Sequence, residues 1–435
     1  MKQMRRVLSV IMMLAMVMGT ISVPVPTKAA ETKAEAVEEI NDHVLYIYSF
    51  NNEVEQYVEY FKAKYPEYED LIVFANSNCD SGNEAYLKHI DFVAKDTTGR
   101  AGVVAVEETD VKAILGSSVF YNLEDIGLTN KDFSKAYEYT KQVATFHGKL
   151  KGATWQCCAG GFIYNRKIAR KVFGTDDPDQ IQKLVKNWKV FNETAAKLKK
   201  NGYYMLSGLE DAGRALADDY SSATHKKKKA LINREIKQYI DEMIVLNNKA
   251  YTKNTTQFTD KWYENMNSAD SDVFGFFGPS WFLGFTMNDV RVEQLNEGFN
   301  LCEGPSDFNW GGTYFGVSKN CPNPGLASLF IRTICIDTES MYELAVSEQS
   351  YPNNVDAVEK LRNTEELKFN KIHVQNAFTI FDQRAERLNK KFATKYDRTI
   401  QTSLNDTISD YISKGKKITY NDFVEKYKEN FKKNY

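Results

Sequence analysis

Aromatic, acidic, amide and glycine residues recur at the ends of the strands that the sequence predicts. The candidate ligand-binding residues are Phe50, Asn51, Glu53, Glu107, Trp155, Gln156, Asp211, Trp281, Trp310, Gly311 and Gly312. Flat apolar rings beside fixed hydrogen-bonding groups suit a sugar, whose ring faces are apolar and whose edges carry hydroxyl groups. A phosphate site would need basic side chains or a Gly-Lys-Ser/Thr loop, and neither follows a predicted strand.

These residues also have purely structural interpretations. Glu107 and Asp211 lie where helices are predicted to begin, and a carboxylate there complements the helix dipole without any ligand. Trp155, Trp281 and Trp310 lie in predicted loops at strand ends, which favours cleft lining over the core. Glu107 and Asp211 are also the pair that a glycosidase could use, since such an enzyme needs two carboxylates facing each other across a cleft.

The stretch Asp272–Phe285 reads DVFGFFGPSWFLGF. It predicts a buried strand that stops at Gly278 and a short helix with Pro279 at its first position. The free N–H groups of that helix would lie beside Trp281 and could face a ligand. Taken alone, the apolar run fits an aromatic-rich core hairpin better than a cleft, so the case for a ligand depends on the other residues.

Strands alternate with helical patterns along the first third of the chain. His43–Phe50, Leu71–Ala75 and Gly102–Val106 are apolar runs without polar alternation, and helical segments separate them. This order is typical of a parallel sheet covered on both faces, in which ligands bind at the carboxyl ends of the strands. Glu53 and Glu107 are predicted to lie at those ends.

The N-terminus has the pattern of a secretory signal peptide. Basic residues precede an apolar run over residues 7–23, and small residues follow near Ala29. We therefore expect a signal peptide over residues 1–29, a polar leader over residues 30–42 and an exported, extracytoplasmic protein. The cleavage zone has no cysteine that could accept a lipid anchor.

The charge balance is mildly acidic. The whole chain carries −2 at pH 7, and removal of residues 1–29, which hold four basic side chains and no acid, leaves −6. This balance argues against a nucleic-acid partner. A mature chain of about 400 residues exceeds what one hydrophobic core usually organises, which predicts two domains.

Six cysteines are too few for a disulfide-built scaffold, although an exported protein could hold one or two bridges. Cys302 with Cys321 is the first pair to test. The chain has no CxxC pair and no HExxH motif, and its five histidines are scattered, so neither a zinc site nor a cofactor is expected.

Five segments, taken together and in order, resemble the extracellular solute-binding proteins, family 1, of bacterial ABC importers. They are LYIYSFNNE (Leu45–Glu53), WQCCAGGFIYNRKIARKVFGTDDPDQIQ (Trp155–Gln182), MLSGLEDAGRA (Met205–Ala215), VFGFFGPSWF (Val273–Phe282) and EGPSDFNWGGTYFGVS (Glu303–Ser318). The likeness spans most of the chain after the signal peptide. It is more specific to the family, which carries mainly sugars and oligosaccharides, than to any one ligand.

The resemblance implies an α/β fold of two lobes, the type II periplasmic-binding-protein-like arrangement, each with a mainly parallel sheet flanked by helices. The first lobe would comprise residues 43–150 with a return segment at 304–348, and the second residues 151–303 with C-terminal helices at 349–435. A hinge would join the lobes, and the ligand would lie between them.

The resemblance also implies the position of each site residue. Asn51 and Glu53 match the loop after the first strand, and Glu107 matches the carboxylate after the third. Gln156 falls in the hinge-side loop and Asp211 at the acidic position of the second lobe. Trp281 matches the aromatic residue that follows Gly-Pro. Trp310, Gly311 and Gly312 match the segment through which the chain returns to the first lobe.

The implied function is capture of a carbohydrate, without catalysis, by a monomer that delivers it to ABC permease subunits. The chain departs from the family pattern in two places. Cys157–Gly161 replaces a Pro-Gly loop, and the lipobox cysteine that anchors many relatives is absent. A secreted carbohydrate-active enzyme and a receptor that presents its ligand to a membrane sensor remain the alternatives.

Overall fold

The computed structural model describes residues 39–216, 232–268, 270–289, 298–348, 350–363 and 377–435. The expected signal peptide, and the leader as far as residue 38, lie outside these ranges. Among the helices within them, none has both the length and the apolar character needed to cross a bilayer.

Eleven strands are found in the described residues. They are β1 (Leu45–Ser49), β2 (Ile72–Asn76), β3 (Val103–Glu107), β4 (Thr145–Phe146), β5 (Lys149–Leu150), β6 (Ala153–Thr154), β7 (Gly160–Asn165), β8 (Tyr204–Leu206), β9 (Val273–Pro279), β10 (Phe299–Cys302) and β11 (Thr313–Val317).

The α-helices before β10 alternate with these strands. They are α1 (Glu55–Lys64), α2 (Glu84–Ala94), α3 (Glu108–Ile114), α4 (Glu138–Ala144), α5 (Arg166–Phe173), α6 (Pro178–Val185), α7 (Trp188–Lys200), α8 (Leu209–Leu216), α9 (Arg234–Asn248), α10 (Asp260–Asn267) and α11 (Ser280–Gly284). The helices after β11 form the C-terminal part of the chain. They are α12 (Pro324–Cys335), α13 (Thr338–Glu348), α14 (Val355–Arg362), α15 (Ala377–Arg387), α16 (Asp397–Lys414) and α17 (Tyr420–Asn434).

The first sheet has the strand order β2-β1-β3-β11-β6. Its central strands are apolar on both faces because helices cover both sides, and Leu45, Ile47 and Val104 are fully buried. One continuous apolar cluster, here called the first-lobe core, joins this sheet to α1, α2 and α12. The carboxyl ends of β1 and β3 therefore lie at one edge of the sheet.

The second sheet has the strand order β10-β7-β9-β8, and every residue of β7 and β9 is buried. Phenylalanines dominate its packing, and the rings of Phe162 and Phe277 lie 5.1 Å apart. Gly278 is required at the end of β9, since a Cβ atom there would lie 2.4 Å from Phe282 Cγ. This second-lobe core also includes the apolar faces of α15, α16 and α17.

The two sheets and their separate cores form a two-lobed α/β fold, as predicted. Both sheets, however, are mixed rather than mainly parallel. In the first, β1 is parallel to β2 and β3, whereas β11 runs antiparallel to β3 and β6. In the second, only the β8–β9 pair is parallel. The difference arises because β11 runs opposite to its neighbours in the first sheet and β7 runs opposite to both β9 and β10 in the second, and apolar composition does not reveal strand direction.

The chain passes between the sheets after β6 and again before β11. The strand β6, which lies within the range expected for the second lobe, pairs with β11 of the first sheet. The predicted lobe boundaries at residues 150, 303 and 348 stay predictions.

Two local expectations were wrong. All six cysteines are free thiols, and Cys302 lies in the second-lobe core whereas Cys321 lies in the first-lobe core, so these two form no bridge. Pro279 is the last residue of β9 rather than the first of a helix, because its backbone is extended and it pairs with Gly160. The helix α11 begins one residue later, at Ser280.

Candidate functional site

Glu53 lies just after the carboxyl end of β1, where three segments of the chain meet. Asn51 accepts a hydrogen bond from the Glu53 backbone N–H at 3.1 Å and so begins a short 3₁₀ turn. The carboxylate of Glu53 accepts hydrogen bonds from Gln156 Nε2 at 3.1 Å and from Thr313 Oγ1 at 3.4 Å. The turn thus fixes the position of Glu53. Gln156 and Thr313, which are distant in the chain, supply the hydrogen-bond donors to its carboxylate.

The carboxylate of Glu53 has only neutral hydrogen-bond donors among the side chains that the structure describes. Burial raises the pKa of Glu53 to about 6, and the hydrogen bonds from Gln156 and Thr313 only partly oppose this rise. A carboxylate held this way can accept further hydrogen bonds from a bound hydroxyl group.

Glu107 ends β3 and caps α3. Its side chain accepts hydrogen bonds from the backbone N–H and the hydroxyl group of Thr109. It also pairs with Arg398, whose Nη2 atom lies 2.6 Å from Glu107 Oε2. The helix-capping interpretation of Glu107 is therefore correct, and the same carboxylate also lies at the carboxyl end of β3.

Trp281 and Trp310 form one aromatic group on the second lobe. The indole Nε1 of Trp281 donates to the Trp310 carbonyl oxygen at 2.9 Å, and the two rings meet edge to face at 4.9 Å. The guanidinium of Arg214 lies 4.4 Å from the centre of the Trp310 ring, and its Nε donates to Gln257 Oε1 at 3.1 Å. Trp281 is partly exposed, so its ring can offer a face to a ligand.

Gly311 and Gly312 connect this aromatic group to the first lobe. Both have positive φ angles, +79° and +120°, which favour glycine. A Cβ atom on Gly311 would lie 3.7 Å from Trp281 Nε1 and 3.9 Å from Glu107 Oε1. The backbone of Gly311 thus lies between an aromatic residue of one lobe and a carboxylate of the other.

Asp211 is fully buried beneath the second-lobe edge. Its carboxylate accepts hydrogen bonds from Gly208 N at 2.7 Å and from Gln257 Nε2 and Trp262 Nε1, both at 3.0 Å. Burial raises its pKa to about 6. With three donors and no exposed surface, Asp211 fixes the turn into α8 and the position of Gln257 instead of contacting a ligand directly.

Trp155 and Phe50 also lie away from the exposed surface. The Trp155 ring is 3% exposed and packs 4.6 Å from Tyr57 and 4.9 Å from Phe315. Phe50 meets Tyr86 edge to face at 5.7 Å. Both side chains belong to the first-lobe core.

The structure therefore joins Glu53 to Gln156 and Thr313 and places Gly311 between Glu107 and Trp281, with Trp310 next to Trp281. Sequence reasoning missed Thr313, Arg214 and Arg398. Thr313 follows the two glycines directly and could have been found as the first residue of β11. Arg214 and Arg398 lie on helices without a local signal, because their partners are distant in the chain.

No protein-family profile matches the sequence, and no curated protein matches it. Solved structures do resemble the fold. One, described as an extracellular solute-binding protein family 1, has 17% identity and a TM-score of 0.75 over 90% of this chain and 99% of its own.

Two further similar structures contain sugars. The galacto-N-biose-/lacto-N-biose I-binding protein of the ABC transporter from Bifidobacterium longum, in complex with lacto-N-biose, has 13% identity and a TM-score of 0.68 over 91% of this chain and 98% of its own. The ABC transporter associated binding protein from B. animalis subsp. lactis Bl-04, in complex with beta-1,6-galactobiose, has 14% identity and a TM-score of 0.65 over 90% and 96%. At these identities the likeness concerns the fold, and the chain has the two-lobed fold of the extracellular solute-binding proteins.

Proposed function

We propose that this protein is an extracytoplasmic solute-binding protein that captures a carbohydrate, most simply an oligosaccharide, between its two lobes. The observation that carries the proposal is the position of Gly311 between Trp281 of the second lobe and Glu107 of the first, two residues before Thr313, which donates to Glu53. A partly exposed indole can stack on a sugar ring, while the Glu53 carboxylate accepts hydrogen bonds from its hydroxyl groups.

The same residues favour binding over catalysis. The glycosidase alternative needs Glu107 and Asp211 as a facing pair with access to substrate. Glu107 is engaged by Arg398 and by the first turn of α3, and Asp211 is fully buried with three donors. Asp211 therefore has no exposed surface that a substrate could reach, and the Glu107 carboxylate is already occupied by an ion pair.

Export and delivery complete the proposal. The signal-peptide pattern at residues 1–29 supports an extracytoplasmic location, and the fold supports delivery of the ligand to the permease subunits of an ABC importer by a monomeric carrier. Closure of the lobes over the ligand would present both lobes to the permease in one defined arrangement.

Titration calorimetry against a panel of oligosaccharides tests ligand class, and small-angle scattering with and without the bound sugar tests closure. We expect saturable binding of at least one oligosaccharide and a smaller radius of gyration in the complex. Tight binding of a peptide or a metal ion with no sugar bound would overturn the proposal. Loss of uptake of the labelled sugar when the protein is deleted from its host would support delivery over sensing.

A further inference from the structure

The helix α16 belongs to the second lobe by its packing. Its apolar face carries Ile400, Leu404 and Ile408, which are fully buried in the second-lobe core. It also packs against α8 of the second lobe and against α17. The helix begins at Asp397, and its first turn lies next to α3 of the first lobe.

Arg398, in this first turn, contacts Glu107 at the end of β3 and Asp110 in α3. Its Nη2 atom lies 2.6 Å from Glu107 Oε2 and 2.6 Å from Asp110 Oδ2, and its Nε lies 3.2 Å from both carboxylate oxygens of Asp110. The Asp110 side chain is only 4% exposed. Arg398 is thus the cation that neutralises a buried carboxylate of the opposite lobe.

Two further contacts support this junction. Lys390, just before α16, lies 3.5 Å from the Glu108 carboxylate, so a second ion pair crosses between the same two segments. Gly82, in the loop after β2, leaves room for the guanidinium, because a Cβ atom there would lie 2.8 Å from Arg398 Nη1. Arg398 therefore contacts the loop after β2 as well as the end of β3.

We propose that Arg398 is a positioning residue that holds the two lobes in their closed arrangement through Glu107 and Asp110. Opening of the lobes would carry α16 away from α3 and leave the Asp110 carboxylate without its cation. Opening would break the charge-assisted hydrogen bonds from Arg398 to Asp110 and Glu107, which favours the closed arrangement even without ligand, and the same ion pair holds Glu107 at the candidate site. The inference rests on the proposed closure of the lobes, but it does not depend on which ligand is bound.

The test measures the distance between the lobes in the ligand-free full chain. Spin labels at Lys88→Cys on α2 and Lys167→Cys on α5, in a Cys79→Ser background, report this distance by pulsed electron resonance. We expect Arg398→Gln to move population from the shorter to the longer distance and to lower the closed-to-open ratio about tenfold, or about 1.4 kcal/mol. Arg398→Lys should restore part of the closed population.

A second variant perturbs the same contact without changing any charge. Gly82→Ala would push its Cβ atom against the Arg398 guanidinium and should shift the distances in the same direction as Arg398→Gln. Gly298→Ala is the matched control, because a Cβ atom there meets no atom within 4 Å. Arg387→Gln, which breaks ion pairs to Glu303 and Asp307 inside the second lobe, controls for charge loss.

Unchanged distances in both Arg398→Gln and Gly82→Ala would overturn the proposal, even if their melting temperatures fall. Arg398 would then stabilise the fold without affecting the equilibrium between open and closed lobes. Should Arg398→Gln fail to fold, the comparison of Arg398→Lys with wild type decides together with Gly82→Ala. Because no sugar is present, failure of the protein to bind any carbohydrate would refute the proposed function without affecting this measurement.

Discussion

The indole nitrogen of Trp281 donates a hydrogen bond to the backbone carbonyl of Trp310, with 2.9 Å between Nε1 and the oxygen. This bond ties the start of α11 to the segment that returns the chain from the second lobe to the first. It also fixes the orientation of the Trp281 ring next to Gly311. A ring oriented in the unbound protein costs less entropy when a ligand stacks on it.

Trp281→Ala should weaken oligosaccharide binding about tenfold, or about 1.4 kcal/mol, because the variant loses the stacking face and the donor that orients it. Titration calorimetry measures the change in Kd. Trp155→Phe is the control, since Trp155 packs in the first-lobe core and should alter the free energy of unfolding but not Kd. Equal losses of affinity in both variants would contradict the assignment of Trp281 to the ligand surface.

Affinity for the sugar should fall as the pH decreases from 7.5 to 5. Burial raises the pKa of Glu53 to about 6, so its carboxylate is ionised above that value and increasingly protonated below it. If only the ionised form binds, Kd at pH 5 should be roughly tenfold higher than at pH 7.5. Calorimetry at both pH values measures this, and Glu53→Gln should bind weakly with little dependence on pH. A variant that keeps the wild-type pH profile would rule out Glu53 as its source.

Asp211 should make the protein less stable as the pH rises from 4 to 7. Burial raises its folded-state pKa to about 6 from an ordinary value of 3.8, so between these values the native state binds more protons than the unfolded chain. The stability contributed by this group is therefore fully present below pH 3.8 and is lost as the pH rises through 6, by up to roughly 3 kcal/mol.

Asp211→Asn removes that titration. Denaturant unfolding at pH 4 and pH 7 measures the unfolding free energies of wild type and variant. The advantage of wild type over the variant should be larger at pH 4 than at pH 7. The variant should also be less stable than wild type near pH 4, because one of its amide atoms cannot accept the Gly208 N–H. Parallel stability curves for the two proteins would show that Asp211 does not titrate in this range.

Arg384 should contribute far more to stability than Arg387, although both bind Asp307. The Arg384 side chain is 3% exposed, lies 2.7 Å from Asp307 Oδ1, and donates to the carbonyl oxygens of Gly160 and Ser306. Arg384→Met should therefore cost about 3 kcal/mol of unfolding free energy, because it leaves buried acceptors without a donor.

Arg387 binds the same carboxylate but is 42% exposed. Arg387→Met should cost less than about 1 kcal/mol, as solvent-exposed ion pairs do. Urea titrations of the two variants against wild type give the comparison. Similar costs would mean that the ion pair to Asp307, rather than burial and the carbonyl contacts, determines the contribution of Arg384.

Local signals predicted much of the first lobe correctly. The apolar runs around β1, β2 and β3 appear as parallel strands within a few residues of their predicted bounds; β1 and β3 are largely buried, whereas β2 is a partly exposed edge strand. Glu53 and Glu107 lie at the carboxyl ends of β1 and β3. These features follow from the composition of short segments, because a strand covered on both faces must be apolar throughout. The antiparallel entry of β11 could not be predicted this way, since strand direction depends on the path of the chain between the lobes.

The alternation of strands and helices and the residue types at the strand ends could be predicted from short segments, because these features depend on neighbours in the chain. The division into two domains followed from chain length, and the two-lobed α/β arrangement from the family resemblance. Which of the residues at the strand ends are buried and which stay partly exposed depends on tertiary packing. Trp155 and Trp281 have similar predicted positions, yet one packs in a core and the other is partly exposed. Arg398 joins the site from about 290 positions away, because a buried carboxylate needs a cation that folding, not sequence proximity, brings to it.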